Sequence, residues 1–272
     1  MTRALVVSIT GLVIILGSIA IGFLINNTNK VQNRDVQVVE QEISIWYAQR
    51  MAEIRTIRDT IERYDMTSNP DYDLAGYLGN ELALNEDKGI YDYYVGMADT
   101  TCYFGGGWEP APGEYDPTTR GWYKDAFTTT DIAISSAYVD VDSGRIVITM
   151  SAPIRKDGNI VGVLAADIFT DDIQAIVSGY FDEKDSKYAV LIDSAGNVIA
   201  HKNKDFLPYA DELGNEHTTY YEKAKIPVQI VGSTELIKKV GSDYKGVFRI
   251  YTGQTLPEIG ATTIPDLPSS RE

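Results

Sequence analysis

The stretch that decides the fold runs from residue 132 to residue 169: IAISSAYVDVDSGRIVITMSAPIRKDGNIVGVLAADIF. It predicts three strands, over residues 132–141, 145–153 and 160–169. Asp142-Ser143-Gly144 and Lys156-Asp157-Gly158 separate them, and such Gly-containing turns are typical of hairpins. We therefore expect the core of the molecule to be an antiparallel sheet.

Helices and a second sheet are predicted around this stretch. Residues 27–65 contain neither Gly nor Pro, and Val39, Trp46 and Ile54 lie at helical spacing, so we expect one long helix that ends before Pro70. Its apolar face would pack either on its own domain or on a twin helix. A helix over residues 171–181, a hairpin at 188–201 and a strand at 247–251 indicate a second, similar unit. The predicted class is α+β: a long N-terminal helix followed by tandem antiparallel-sheet units, the second incomplete.

The N-terminus predicts a membrane anchor. Residues 4–25 carry no charge, and about 20 apolar residues are needed to cross a bilayer as a helix. The core of a cleavable signal peptide is usually only about 7–15 residues and is followed by small residues. We expect an uncleaved single-pass anchor in the cell membrane, with a cleaved signal as the alternative. The bulk of the chain would lie outside the cytoplasm.

Composition excludes several classes of function. The formal net charge is -15, which argues against binding the phosphate backbone of nucleic acids. Cys102 is the only cysteine and there are two histidines, so no intrachain disulfide or Cys/His metal cluster is expected. Cys102 is predicted to be a small buried residue. We predict no cofactor, no metal and no catalytic residues.

The segment YDPTTRGWY, residues 115–123, carries the strongest chemical signal. Asp116-Pro117 predicts a helix start, with a helix to about Phe127 that holds Arg120, Trp122 and Tyr123 in its first two turns. The guanidinium of Arg120 matches a carboxylate, and aromatic rings can line a cavity.

Two acids would oppose Arg120. Asp167 ends an apolar strand, where a charge is costly without a partner. Asp140 shares a predicted strand face with Tyr138, because strand side chains alternate. Arg120 and the two acids would then present opposite poles to a zwitterion. Three plainer interpretations remain open: an Arg120–Asp167 structural salt bridge, aromatics that only fill the core, and a solvated Asp140 in a hairpin.

The spacing Tyr-x-x-x-x-Arg-x-Trp-Tyr, followed by Tyr138-Val139-Asp140 and by Asp167, resembles the amino-acid-binding motif of double Cache sensor domains. These domains occur in bacterial chemoreceptors, sensor kinases and cyclic-dinucleotide enzymes, and the likeness covers about residues 27–251. It implies tandem PAS-like units with the ligand in the membrane-distal one. It also implies that Arg120 and Trp122, with Tyr115, hold the ligand carboxylate. Tyr123, Asp140 and Asp167 would hold its ammonium group, with Tyr138 beside them.

This resemblance implies a division of the chain and a function. The expected parts are an anchor (1–26), a signalling or dimerisation helix (27–70), a membrane-distal unit with the pocket (71–182), an incomplete proximal unit (183–252) and an irregular tail (253–272). The predicted function is extracytoplasmic sensing of a free L-amino acid for chemotaxis or signal transduction, with homodimerisation through the long helix. Alternatives are a sensor for a biogenic amine or another small molecule, and a surface interaction module without a small ligand. A hydrolase that uses Asp140 and Asp167 has no supporting signature.

Overall fold

The structure is a computed structural model. It describes residues 37–111, 113–140, 143–179, 188–193 and 196–226, and the backbone of strands at 237–242, 248–256 and 261–268. The predicted anchor, residues 1–26, lies outside the described residues. Among the helices that the structure does describe, none combines the length and the apolar character needed to cross a membrane.

Four α-helices and two main sheets make up the described chain. The helices are α1 (37–63), α2 (Leu74–Leu84), α3 (Gly121–Ala126) and α4 (Asp171–Gly179). The strands of the first sheet are β1 (Ile90–Met97), β2 (Cys102–Phe104), β3 (Ala133–Ile134), β4 (Tyr138–Val139), β5 (Ile146–Lys156) and β6 (Asn159–Phe169). Their order is β2-β1-β6-β5-β3, and β4 also pairs with β5. The predicted α+β class with an antiparallel sheet is confirmed.

The hairpin of β5 and β6 is the centre of the first sheet. Its turn residues Asp157 and Gly158 have φ angles of 51° and 80°, which suit a turn whose two central residues are both left-handed. Asp and Gly tolerate that conformation better than most residues do. The turn signal in the sequence therefore set the register of the two longest strands.

The prediction of one continuous strand over residues 132–141 is wrong. The structure has two short strands there, β3 and β4, with a break between them. At the break, the hydroxyl of Ser135 accepts a hydrogen bond from the Thr149 amide at 2.9 Å. A serine side chain that bonds to the backbone in this way replaces a ladder bond between strands. The chain then pairs again at Tyr138, opposite Val147.

The long helix packs on its own domain. Its buried side chains Val39, Ile43, Ile54 and Ile61 belong to one core cluster that also contains Tyr93 of β1 and residues of both main sheets. Of the two packing alternatives, contact with its own domain is confirmed for this face. The cluster extends from the first sheet to Leu191 in the second, so α1 runs beside both units.

A polar junction ties α1 to the start of α4. The indole of Trp46 donates to Asp172 at 3.4 Å, and Arg50 lies 3.7 Å from the same carboxylate. Arg50 is only 6% exposed and also donates to the carbonyl of Lys88 at 2.6 Å. One buried arginine therefore links the long helix to the segments before β1 and after β6.

The second sheet has five described strands. They are β7 (Tyr188–Ile192), β8 (Val198–His201), β11 (Ile237–Ser242), β12 (Phe248–Leu256) and β13 (Ala261–Pro268), in the order β11-β12-β13-β7-β8. A separate pair is formed by β9 (Tyr209–Ala210) and β10 (Glu216–His217).

The prediction of an irregular tail over residues 253–272 is wrong where the structure describes it. Strand β13 pairs with β12 on one side and with β7 on the other. Its two prolines argued against a strand, because proline cannot donate to the ladder. Pairing with two neighbours, from Thr262 to Asp266 on the β7 side, outweighs that local preference.

Candidate functional site

The candidate site lies on the face of the first sheet that α1 does not cover. Residues directly opposite each other in an antiparallel pair share a face, and the register pairs Tyr94 with Ala165 and Thr149 with Asp167. Helix α3 covers part of this face, and its Trp122 and Tyr123 pack there with Tyr94. Asp167 therefore lies under an aromatic layer, away from the main core.

Asp167 is the centre of a buried hydrogen-bond group. It is 8% exposed, and its Oδ1 atom accepts from the hydroxyls of Thr149 at 2.7 Å, Tyr94 at 2.9 Å and Tyr138 at 3.2 Å. Each hydroxyl has a single hydrogen to give. All three hydroxyls therefore converge on one oxygen of the carboxylate, and the hydroxyl oxygens of Tyr138 and Thr149 also lie 3.0 Å from each other.

The electrostatics of this group show an acid without a cation. Burial raises the pKa of Asp167, and the bonds from Thr149, Tyr94 and Tyr138 oppose that shift without cancelling it. Burial, and then the Asp167 charge, raises the pKa of Tyr94 and that of Tyr138. In the described part of the chain, no lysine, arginine or histidine forms an ion pair with Asp167.

A second acid, Asp92, lies directly opposite Asp167 in the pairing of β1 with β6. Its Oδ1 atom accepts from the amide of Gly106 at 2.7 Å. Burial raises the pKa of Asp92 to about 7; the Gly106 bond opposes the shift and the Asp167 charge adds to it. No sequence motif had indicated Asp92, Tyr94 or Thr149 as site residues. Alternation within the predicted strand at 91–98 could have indicated that Asp92 and Tyr94 share a face.

Asp140 serves a turn and also lies near the group. Its Oδ1 atom accepts from the Ser143 amide at 2.7 Å, and its own amide donates to the Arg145 carbonyl at 2.9 Å. The Asp140 charge contributes to the raised pKa of Asp167 and of Tyr138. We call Asp92, Asp140 and Asp167 the acidic group.

The prediction that Arg120 lies inside a helix is wrong. The Asp116 side chain accepts from the Thr118 amide at 2.9 Å and closes a 3-10 turn over Pro117–Thr119. Arg120 is then extended, with φ -78° and ψ 151°, and α3 begins at Gly121. The exposed guanidinium lies 5.0 Å from the centre of the Tyr115 ring. The structural salt bridge between Arg120 and Asp167 is not among the described ion pairs.

Aromatic side chains stand between Arg120 and the acidic group. We call them the aromatic wall, and its members are Tyr94, Phe104, Trp108, Tyr115 and Trp122. Adjacent rings in it have centroids 4.7 Å to 5.8 Å apart, mostly edge to face. Tyr115 has a raised pKa because of burial, while its contacts with Trp122 and Arg120 lower it. The structure thus brings Tyr115, Arg120 and Trp122 together.

Tyr123 is buried but has different neighbours. Its ring packs 5.6 Å from that of Trp122 and 5.4 Å from that of Phe127. Burial raises its pKa, and the charges that add to this are Asp116 and Asp99. The described contacts do not join the Tyr123 hydroxyl to the acidic group.

A depression of about 560 Å³ opens between α2, β2 and the loop that follows β2. Phe104, Trp108 and Tyr115 of the aromatic wall line it, but none of the three acids does. We place the candidate site at the acidic group, because Asp167 is buried there without an ion-pair partner among the described residues and the aromatic wall connects the group to Arg120. Within the described residues, no His, Cys, Asp or Glu side chains are grouped to hold a metal ion.

Comparison with known proteins agrees with this architecture. Residues 57–175 match the model of a family described as methyl-accepting chemotaxis protein-like, first PDC sensor domain. Residues 57–175 are therefore similar to this family of sensor domains. They include α2, the whole first sheet, the acidic group and the aromatic wall.

Relatives of the sensor domain are chemotaxis receptors. The chain is 33% identical over 91 residues to the methyl-accepting chemotaxis protein PscA of Pseudomonas syringae, and 28% identical over 127 residues to McpG of Pseudomonas putida. These matches cover 33% and 46% of the chain. They cover only 14% and 20% of the two receptors.

Solved structures show the same fold over more of the chain. The ligand-binding domain of the Pseudomonas fluorescens chemoreceptor CtaA, crystallised with L-serine, superposes with a TM-score of 0.69 at 18% identity. The match covers 90% of this chain and 99% of that domain. Both the sensor domain and the unit that follows it therefore have the fold of a chemoreceptor ligand-binding domain.

Proposed function

We propose that this protein is the extracytoplasmic sensing part of a membrane-anchored bacterial chemoreceptor and that it binds a free L-amino acid. In this proposal Asp167 and Asp140 receive the ammonium group, and Arg120, with Trp122 and Tyr115, receives the carboxylate. Tyr138 orients Asp167, and Tyr123 supports the packing of Trp122 in α3. The buried Asp167, without a protein cation, is the observation that carries the proposal.

The chemistry of the group favours an ammonium ion. Three hydroxyls donate to Oδ1 of Asp167, and a ligand N–H would find the remaining acceptor, Oδ2. Charge-assisted hydrogen bonds contribute roughly 1.5–3 kcal/mol each. A few of them, less the cost of immobilising the ligand, are compatible with micromolar binding, about -8 kcal/mol. CtaA, of the same fold, was crystallised with an amino acid.

A thermal-shift screen of the purified protein tests the proposal. We expect some L-amino acids to raise the melting temperature, while their amides and decarboxylated amines do not. Arg120→Ala should abolish the shift by removing the carboxylate contact. Arg63→Ala is the matched control, because it removes an exposed arginine from α1. A screen in which every amino acid is inert, or an Arg120→Ala variant that still responds, would contradict the proposal. A response to amines alone would favour the biogenic-amine alternative.

Anchoring through residues 1–26 is part of the same proposal. The uncharged segment 4–25 and the relationship to chemotaxis receptors support it. Alkaline phosphatase fused after residue 226 should be active in intact cells if the bulk of the chain lies outside the cytoplasm. An inactive fusion of normal abundance would contradict this orientation.

Homodimerisation through the long helix is also proposed. With one face of α1 buried in its own domain, a partner would use the outward face, where Ile45 is 47% exposed next to the small residues Ala48 and Ala52. Ile45→Glu should then weaken the dimer in analytical ultracentrifugation, whereas Leu213→Glu, at an exposed apolar residue outside α1, should not.

A further inference from the structure

The acidic group contains one carboxylate more than a neutral amino acid requires. A zwitterion brings no net charge, so the three acids would still outnumber Arg120, the one cation that the proposed function assigns to the ligand. Asp92 is the acid without an assigned partner, because Asp140 and Asp167 already receive the ammonium group in the proposed function. Within the described residues, Asp92 takes part in no ion pair.

The position of Asp92 directs it toward the same ligand. Directly opposite residues of an antiparallel pair have Cα atoms about 4.5–5.5 Å apart and share a face. Asp92 and Asp167 are such a pair. The Gly106 amide occupies Oδ1 of Asp92, and a Cβ atom at residue 106 would lie 3.2 Å from its carboxylate. Glycine at this point lets the loop cover Asp92 closely.

We infer that Asp92 is a specificity-determining residue that directs the site toward amino acids with a second cationic group. The inference rests on the proposed amino-acid site. The α-ammonium group would bind Asp167, and the side-chain ammonium group of a basic amino acid would bind Asp92 on the adjacent strand. The aromatic wall and Arg120 hold the rest of the ligand, so the site is more than a cluster of acids.

Protonation gives the inference an independent readout. With a pKa of about 7, Asp92 is partly protonated near neutral pH. The groups that face it are the Asp167 carboxylate from β6 and the backbone of Gly105 and Gly106 from the loop. A ligand cation stabilises the ionised form and releases the proton. A neutral amino acid has no charge to bring there.

Isothermal titration calorimetry on the full chain, in a non-ionic detergent, tests this directly. The probes are L-alanine, L-2,3-diaminopropionate, L-ornithine and L-lysine. We expect at least one diamino acid to bind about tenfold or more tightly than L-alanine, the effect of one charge-assisted bond. Asp92→Asn should remove this preference, because asparagine still accepts from Gly106 but brings no negative charge to the second ammonium group. Asp99→Asn, an exposed acid on the turn after β1, is the matched control.

The outcomes separate the two proposals. If L-alanine binds as tightly as every diamino acid, or if Asp92→Asn keeps the preference, the inference is overturned and the amino-acid site stands. If no amino acid binds, the proposed function itself fails. At pH 6.5, the diamino acid should release protons, seen as a binding enthalpy that changes with the buffer, and Asp92→Asn should abolish that difference. Equal proton release by the variant would also overturn the role of Asp92.

Discussion

Replacing Thr149 by valine would isolate one hydroxyl that stabilises the buried Asp167. Thr149 is 1% exposed and donates to Oδ1 of Asp167 at 2.7 Å. Valine has nearly the same shape, so the main loss is a hydrogen bond to a charged group, about 1.5–3 kcal/mol. We expect the free energy of unfolding to fall by about 2 kcal/mol at a pH above the folded pKa of Asp167, measured by urea denaturation.

The pH dependence separates this cause from general damage to the core. The folded-state pKa of Asp167 is raised above its ordinary value of 3.8, and the Thr149 hydroxyl lowers it. The carboxylate is ionised above its folded pKa, so the difference between wild type and Thr149→Val is fully present above that pKa. It shrinks as the pH falls through the pKa of Asp167, because a protonated acid needs the donor less.

Thr149→Ser is the control, since it keeps the hydroxyl and deletes one methyl group, a loss of about 0.8 kcal/mol. Equal losses in the serine and valine variants would refute the role of the hydroxyl. So would a valine variant whose loss of stability does not shrink as the pH is lowered through the pKa of Asp167.

Three further predictions concern other parts of the structure. Gly96→Ala should lower the unfolding free energy by about 1–3 kcal/mol and weaken amino-acid binding, because the added Cβ would lie 2.8 Å from a ring atom of Trp122. Unchanged stability and affinity would contradict this packing. Burial raises the pKa of Cys102 to about 11, so only about 0.1% of it should be thiolate at pH 8 and it should react slowly with thiol reagents. Fast labelling at pH 8 would contradict this. Arg50→Met should lower the free energy of unfolding, measured by urea denaturation, by at least about 2 kcal/mol, since it leaves the Lys88 carbonyl without its donor. A change near zero would show that the junction does not stabilise the fold.

The sheet and the long helix could be predicted because their signals are local. The Lys156-Asp157-Gly158 turn determined the central hairpin, and the spacing of Val39, Trp46 and Ile54 indicated the buried face of α1. The break at Ser135 could not be predicted, because it depends on a side-chain bond to Thr149 on the neighbouring strand. Strand β13 was missed for a similar reason, since one of its two pairing partners, β7, lies far away in sequence.

The site was partly predictable for the same reason. Residues 115–123 carry a recognisable spacing, and the structure brings Tyr115, Arg120 and Trp122 together. Asp92 escaped notice, because only the β1–β6 register places it opposite Asp167, 75 positions further along the chain. Tyr123 has the expected spacing, but its hydroxyl has neighbours other than the acidic group. Sequence spacing thus identified the segments, while the register determined which side chains meet.

The junction of α1 and α4 has a mechanical consequence. Strand β6 ends at Phe169, two residues after Asp167, and α4 begins at Asp171, so Thr170 is the only residue between them. A single residue gives the chain little slack to absorb a shift of the strand. If ligand binding at the acidic group shifts β6, the shift would be transmitted to Asp172 and from there to Trp46 and Arg50, because no loop separates β6 from α4. The chain therefore leads from Asp167 through Thr170 directly to α4, which contacts α1, the longest helix in the described part of the chain.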